Sequence, residues 1–208
     1  MKLVIFGSTG SIGRQLVVQA LAMEHDVTAF ARNPRSLNDL EHPHLKIFQG
    51  DVYDIDAVDK AVEGNDAVLC ALGAGRNGGV RATGTRNIIR AMEKTGVRRF
   101  ICQTTLGAGD SKDNLNFFWR YVMFGLLLRK AYRDHELQEQ YIQQSRLDWT
   151  IVRPAAFTDG MATGNYRHGF PATDKTLKLK ISRADVALFM LMQLTTDMYL
   201  HETPGLSY

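Results

Sequence analysis

The sequence predicts a doubly wound α/β fold, a parallel sheet with helices packed on both faces. Three observations predict it. Apolar runs of strand length alternate with segments of helical period. The connections between them are short, which for parallel strands implies right-handed crossovers. The first strand also runs into the first helix through a glycine-rich turn, Gly7-Ser8-Thr9-Gly10-Ser11-Ile12-Gly13. The chain has 208 residues. That length suits a single domain over residues 1–208 with room for a large core.

The elements follow in order. Lys2–Phe6 is an apolar run suited to a strand buried on both faces. Ser11–Met23 carries Ile12, Leu16, Val17, Ala20 and Leu21 at helical spacing. Asp26–Ala31 and Leu45–Phe48 read as the second and third strands, and Ile55–Val62 as a short helix between the third and fourth. Asp66–Leu72 is the fourth strand. Val80–Thr95 is a helix closed by Gly96. Arg99–Thr104 is the fifth strand, and a long helical region runs from about Asn116 to Gln144. Asp148–Val152 is the sixth strand, ended by Pro154. Thr176–Ile181 alternates Leu and Lys, the pattern of a half-exposed strand, and Ser182 caps a last helix through Leu194. Phe157–Lys175, rich in Gly, Thr and Asp, is expected to be an irregular loop over a site.

Bulk properties narrow the function. Hydrophobic residues make up 45% and charged residues 23%, the ordinary globular range, so disorder is not expected. The net charge of +3 is too small to imply nucleic acid. Cys70 and Cys102 each sit in an apolar run with no CxxC spacing, which reads as buried reduced thiols rather than a disulfide. Gly7 ends the first apolar run too early for a secretory leader. The longest apolar stretch, Phe117–Leu128, has 12 residues and contains Arg120 and Gly125, too short to span a bilayer. The expectation is a cytoplasmic chain, monomeric or homodimeric.

A strand, then G-x-x-G-x-x-G, then a helix is a phosphate-binding design of the Rossmann type. Gly7 permits the tight turn, Gly10 lets the backbone approach a pyrophosphate, and Gly13 lets the helix pack closely on the strand. The helix start adds free N–H groups, with Thr9, Ser11 and Ile12 around them. Dinucleotide folds read the adenosine ribose at the end of the second strand, where a carboxylate favours NAD. Here that place reads Phe30-Ala31-Arg32-Asn33-Pro34-Arg35. Arg32 and Arg35 are therefore expected to clamp the 2′-phosphate of NADPH, with solvated surface arginines as the plainer alternative. Asp51 and Val52 end the third strand, where Asp51 could meet the adenine amino group or cap the next helix. Ala71, Leu72 and Gly73 end the fourth strand, where small residues let a dinucleotide lie close.

These segments, with Gly84-Thr85-Arg86-Asn87-Ile88-Ile89, Arg133-Asp134-His135-Glu136, Val152-Arg153-Pro154, Ile181-Ser182-Arg183-Ala184-Asp185 and Leu194-Thr195-Thr196-Asp197, carry a resemblance. Over nearly its whole length the chain resembles the atypical short-chain dehydrogenases/reductases. It is most similar to their biliverdin-IXβ reductase, or NADPH-dependent flavin reductase, group, within a superfamily that includes an NmrA-like branch. The resemblance implies NADPH as cofactor. It implies that Thr104 and Thr105 stand where that group has a serine near the nicotinamide. It also implies that the backbone at Pro154-Ala155-Ala156 holds the carboxamide. Asn116–Lys130 is bulkier and more aromatic than that group's segment.

Most short-chain dehydrogenases use Tyr-x-x-x-Lys. Here the residues four after each tyrosine are Ala57, Gly125, Glu136, Ser145, Phe170 and Thr203, and Tyr208 is the last residue, so the lysine is missing throughout. Alcohol–ketone chemistry by that pair is excluded. A flavin such as FMN, taken as substrate rather than as a tightly held group, relaxes the need for a protein acid, as does a biliverdin-like tetrapyrrole or a quinone. Each delocalises the charge it accepts. Thr105, Leu106, Trp119 and Phe157 are expected around such an acceptor. His135 is expected either as a proton donor or anchor, or as a helix-packing histidine. The aromatic run from Phe117 to Phe124 is either a substrate wall or a core or dimer face. No metal is expected. The competing expectation is an NmrA-like redox sensor that binds NADP(H) without turnover.

Overall fold

In the computed structural model, which describes residues 1–75 and 78–208, the first six strands form one parallel sheet in the order β3-β2-β1-β4-β5-β6. They are β1 (Lys2–Phe6), β2 (Asp26–Ala31), β3 (Leu45–Gln49), β4 (Ala67–Cys70), β5 (Arg99–Gln103) and β6 (Asp148–Pro154). β1 shows why the chain folds this way. Leu3 and Ile5 face one core, Val4 and Phe6 the other, and all four are fully buried. Helices α1 (Ser11–Ala22) and α5 (Arg183–Met192) pack together on the first face. Helices α2 (Ile55–Val62), α3 (Val80–Thr95) and α4 (Arg129–Gln143) cover the second. The strand order reverses between β1 and β4, so the crevice for a ligand opens at their C-terminal ends. Gly96, with φ +80°, closes α3, and the Ser182 side chain accepts from the Asp185 N–H at the start of α5, as the sequence predicts.

Four differences from the sequence expectations have physical causes. The long helix is two pieces. Phe118–Leu127 is π-helical, and the Leu128 N–H reaches back to the Met123 carbonyl at 2.7 Å before α4 begins at Arg129. The strand expected over Thr176–Ile181 shrinks to Lys180–Ser182, because Leu179 takes φ +54° and breaks the extended run. Within the expected loop, Phe157 and Thr158 join β7 (Ala156–Thr158), and Arg167–His168 forms β8. The strand at Lys180–Ser182, β9, pairs with β7. The C-terminal Gly205–Ser207, three residues and too short for a periodic signal, is β10; it pairs with β6 and gives β8 an antiparallel partner. Cys70 and Cys102 are neighbours across β4 and β5, both buried and both free thiols.

The chain leaves the main sheet at Ala155 to join β9, which turns Ala156 and Phe157 over the sheet's C-terminal edge. That switch places the far wall of the crevice. Among the described residues no helix is long and apolar enough to cross a membrane. No group of three or more potential metal ligands occurs among them either.

Candidate active site

The crevice is a cavity of about 720 Å³, within the usual range for cofactor and ligand sites. Its first half is built by the glycine turn. Gly7 has φ +78°, a backbone state costly for any residue with a Cβ, and a side chain there would run into the carbonyl of Ala71. A Cβ on Gly13 would collide with the carbonyl of Gly7, so α1 can start this close only because Gly13 has none. The Gly10 N–H donates to the Gly7 carbonyl at 2.9 Å and closes the turn. Ser8 then ties the turn to β2, its hydroxyl donating to the Phe30 carbonyl at 2.8 Å.

Helix starts show which end is kept for a ligand. Asp54 caps α2, accepting from Asp56 and Ala57. Asp134 reaches over from α4 to accept from the Arg81 and Ala82 N–H groups at 3.2 and 3.1 Å, filling the start of α3. Ser182 caps α5. At α1 no side chain caps the helix and its first turn has no acid, while Thr9, Gly10, Ser11 and Ile12 line the cavity. An open helix start with its partial positive charge fits a pyrophosphate.

Arg32, exposed at the end of β2, lines the cavity beside Phe30 and Ala31. Arg35 does not line it. The chain turns at Pro34 into a 3-10 turn, Pro34–Leu37, whose Arg35 N–H donates to the Asn33 side chain. Asp51 stands off as well. Its carboxylate accepts from the Tyr53 N–H at 3.0 Å, and Asp54, not Asp51, caps the next helix. Gly50 and Val52 line the cavity instead, and a Cβ on Gly50 would strike the Phe30 ring. Ala71, Leu72 and Gly73 form the floor. Gly13 lies behind the turn as a packing residue.

The second half is assembled from distant segments. The N–H groups of Thr104 and Leu106 donate to the carbonyls of Val152 and Pro154, both at 2.8 Å, extending the β5–β6 pairing under the cavity. The Thr104 hydroxyl donates to Glu139 at 2.7 Å. Glu139 in turn pairs with Arg153 through two contacts of 3.0 and 2.7 Å, and Asp110 joins Arg153 from the other side. Burial works against the Arg153 charge, but the two carboxylates outweigh it and hold it above its ordinary range. Thr104 is thus engaged with α4. The half-buried Thr105 lines the cavity, and among the described residues its hydroxyl has only its own neighbour's carbonyl, Leu106 O at 3.3 Å, as acceptor. Leu106, Trp119, Pro154, Ala155 and Phe157 line the same half. The N–H groups of Ala155 and Ala156 are already given to Leu206 and Leu179, at 2.9 and 3.1 Å. They are therefore not free to donate to a carboxamide.

His135 lines the cavity from α4 and is buried. Gln138 donates its amide to Thr85 and Cys102, at 3.0 and 3.2 Å, so its carbonyl oxygen is left to accept. That oxygen lies 3.2 Å from His135 Nδ1, which assigns the proton to Nδ1 and leaves Nε2 as an acceptor. Burial, with Arg81 nearby, pushes the imidazole pKa down to about 3 against the opposing pull of Gln138. His135 is neutral at neutral pH and is not an acid there. Several cavity residues escaped sequence reasoning, among them Phe30, Arg81, Gln103, Leu179 and Arg183. Arg81 could have been found, since it occupies the first turn of the helix following β4. Leu179 comes from the far end of the chain and left no local signal, and the segment Ile181–Asp185 marks the resemblance without pointing Arg183 to the cavity.

A model of NAD(P)H-binding proteins matches residues 7–197 of the chain. The chain belongs to this NAD(P)H-binding family. A photosystem II assembly factor of Synechocystis sp. is 28% identical over 166 residues, covering 77% of this chain; the chain spans only 46% of that protein. Among solved structures, ChuY of Escherichia coli O157:H7, described as an anaerobilin reductase, is 26% identical with a TM-score of 0.82, covering 99% of this chain and 96% of that one. A short-chain dehydrogenase/reductase of Veillonella parvula, solved in complex with NADP, has a TM-score of 0.81 at 16% identity, covering 100% and 94%. The last shares the fold. Together these place the chain in an NAD(P)H-binding family with an oxidoreductase-like Rossmann fold.

Proposed function

We propose that this protein is an NADPH-dependent reductase that transfers hydride to a conjugated acceptor, a flavin such as FMN, a quinone or a biliverdin-like tetrapyrrole. One observation carries it: a single cavity runs from the uncapped start of α1 and Arg32 to an apolar wall of Leu106, Trp119 and Phe157. NADPH, when bound, supplies the hydride. The chain's residues do the rest. The amides at the start of α1 hold the pyrophosphate, and Arg32 alone of the two arginines takes the 2′-phosphate. Thr105 offers its hydroxyl next to the acceptor, and the neutral His135 offers an acceptor nitrogen to a hydroxyl or N–H.

No Tyr-x-x-x-Lys pair occurs in the sequence, and His135 is held neutral. The proton that completes reduction therefore comes from solvent, which suits acceptors that delocalise charge. The similarity to a protein described as an anaerobilin reductase makes a bilin of that kind one of the acceptors to test. The experiment is NADPH oxidation by the purified protein with FMN, biliverdin and a short-chain quinone. Turnover with at least one supports the function, and binding of NADPH with no turnover on any of the three defeats it.

A further inference from the structure

The π-helical segment Phe118–Leu127 and its flanks have two faces. Trp119, Phe124 and Leu128 point into the cavity. Phe117, Phe118, Tyr121, Leu126 and Leu127 point outward and are between 48% and 74% exposed. Such a run of large apolar side chains is not ordinary monomer surface. Phe117 and Tyr121 pack on each other in the open, with ring centroids 4.9 Å apart.

Charge indicates what covers this face. Residues 114–133 contain no Asp or Glu and carry Arg120, Arg129, Lys130 and Arg133. All four cations are exposed; Arg120 pairs with the exposed Asp113 just outside the stretch, at 3.0 Å, and lies over the Tyr121 ring, 5.7 Å from its centroid. Aromatic and leucine side chains framed by cations, on a segment too short to span, match a helix lying in a membrane interface. A second copy fits worse. A two-fold contact on this face would bring the same four cations towards their own counterparts.

We propose that residues 117–133 carry a monotopic docking surface for a bilayer containing anionic lipid. The outward apolar side chains enter the acyl boundary, and Arg120, Arg129, Lys130 and Arg133 sit at the level of the lipid phosphates. Because the inner face of the same segment walls the cavity, docking sets the acceptor end of the cavity beside the bilayer. A lipid-soluble quinone can then enter from the membrane. This last step rests on the reductase function proposed above, whereas the docking does not.

The test is flotation of the full chain with vesicles of phosphatidylcholine alone and with added phosphatidylglycerol. Binding is expected to the anionic vesicles and to weaken at least about tenfold without phosphatidylglycerol or at high salt. The double variant Phe118→Ser/Leu126→Ser is expected to lose at least about tenfold in vesicle affinity, with unchanged melting and NADPH titration. Arg129→Gln/Lys130→Gln is expected to lose only the preference for anionic vesicles. Failure of the wild type to float with anionic vesicles overturns the docking. So does a solution dimer that Phe118→Ser/Leu126→Ser converts to monomer. A soluble quinone assay separates the two claims. Reduction without flotation leaves the reductase standing and removes the docking; flotation without reduction of any quinone leaves the docking standing and removes the entry of a quinone from the membrane.

Discussion

The two halves of the cavity are made in opposite ways. The glycine-turn half comes from one short stretch, Gly7–Gly13, closed by bonds between near neighbours and by the first strand it follows. The acceptor half is gathered from Thr105–Leu106, Trp119, His135, Pro154–Phe157 and Leu179, segments that meet only in the folded chain. Local backbone geometry holds the first. A buried polar network holds the second: Thr104 to Glu139, Glu139 to Arg153, and Gln138 to His135, Thr85 and Cys102. The first half is sensitive to local changes, at its glycines and at Arg32, the second to changes at a distance.

Five substitutions sharpen or break that contrast. The largest effect is expected from Glu139→Ala, which leaves the buried Arg153 with only the exposed Asp110 and Thr104 with no acceptor on α4. Removing one partner of a buried ion pair costs about 3–5 kcal/mol. Thermal or denaturant unfolding measures it, and a loss below about 1 kcal/mol would show that the network does not hold this half together. Gly13→Ala comes next. Its Cβ presses on the Gly7 carbonyl, so NADPH and NADH should both bind about a hundredfold more weakly by fluorescence titration. Near-normal affinity would mean that the turn is not the phosphate cradle.

Arg32→Ala should weaken NADPH by roughly tenfold to a hundredfold and leave NADH nearly unchanged, as expected for loss of a charge-assisted contact. Arg35→Ala should change neither by more than about twofold, because Arg35 does not line the cavity. Equal losses for both cofactors in Arg32→Ala would refute the 2′-phosphate role.

The smallest effect concerns His135. Its folded pKa is about 3, below the ordinary 6.5. Between those values the unfolded chain binds a proton that the folded chain does not, so this group's contribution to stability is complete above 6.5 and falls as pH drops towards 3. His135→Gln should therefore flatten the stability curve between about pH 5 and 6.5, above the range where carboxylates titrate. An unchanged curve, or a rate profile with a His135-dependent step near neutral pH, would contradict a buried neutral imidazole.

The same contrast explains what the sequence discloses. The first six strands and the five helices that flank them are legible because each carries its own period, as β1 does in Leu3, Val4, Ile5 and Phe6. The glycine turn is legible because its chemistry is local. Arg35 and Asp51 stand outside the cavity lining for a physical reason: Pro34 turns the chain after β2, and the Asp51 carboxylate accepts from the Tyr53 amide. β8 and β10 are too short to show a period, and they form because each offers the other an edge. The neutral state of His135 comes from its burial in the fold and from Arg81 on another helix, which together outweigh Gln138. No spacing rule could supply that.

The central claim, that one cavity joins the glycine turn to an acceptor site where hydride is passed on, is tested most directly by single-turnover oxidation of protein-bound NADPH. The protein is loaded with NADPH, or with NADPH deuterated at the transferred position, and mixed with FMN, biliverdin or a quinone. The account predicts oxidation at a rate that saturates with acceptor and slows on deuteration. Bound NADPH that persists unchanged with every acceptor, while its affinity still depends on Arg32, would contradict it.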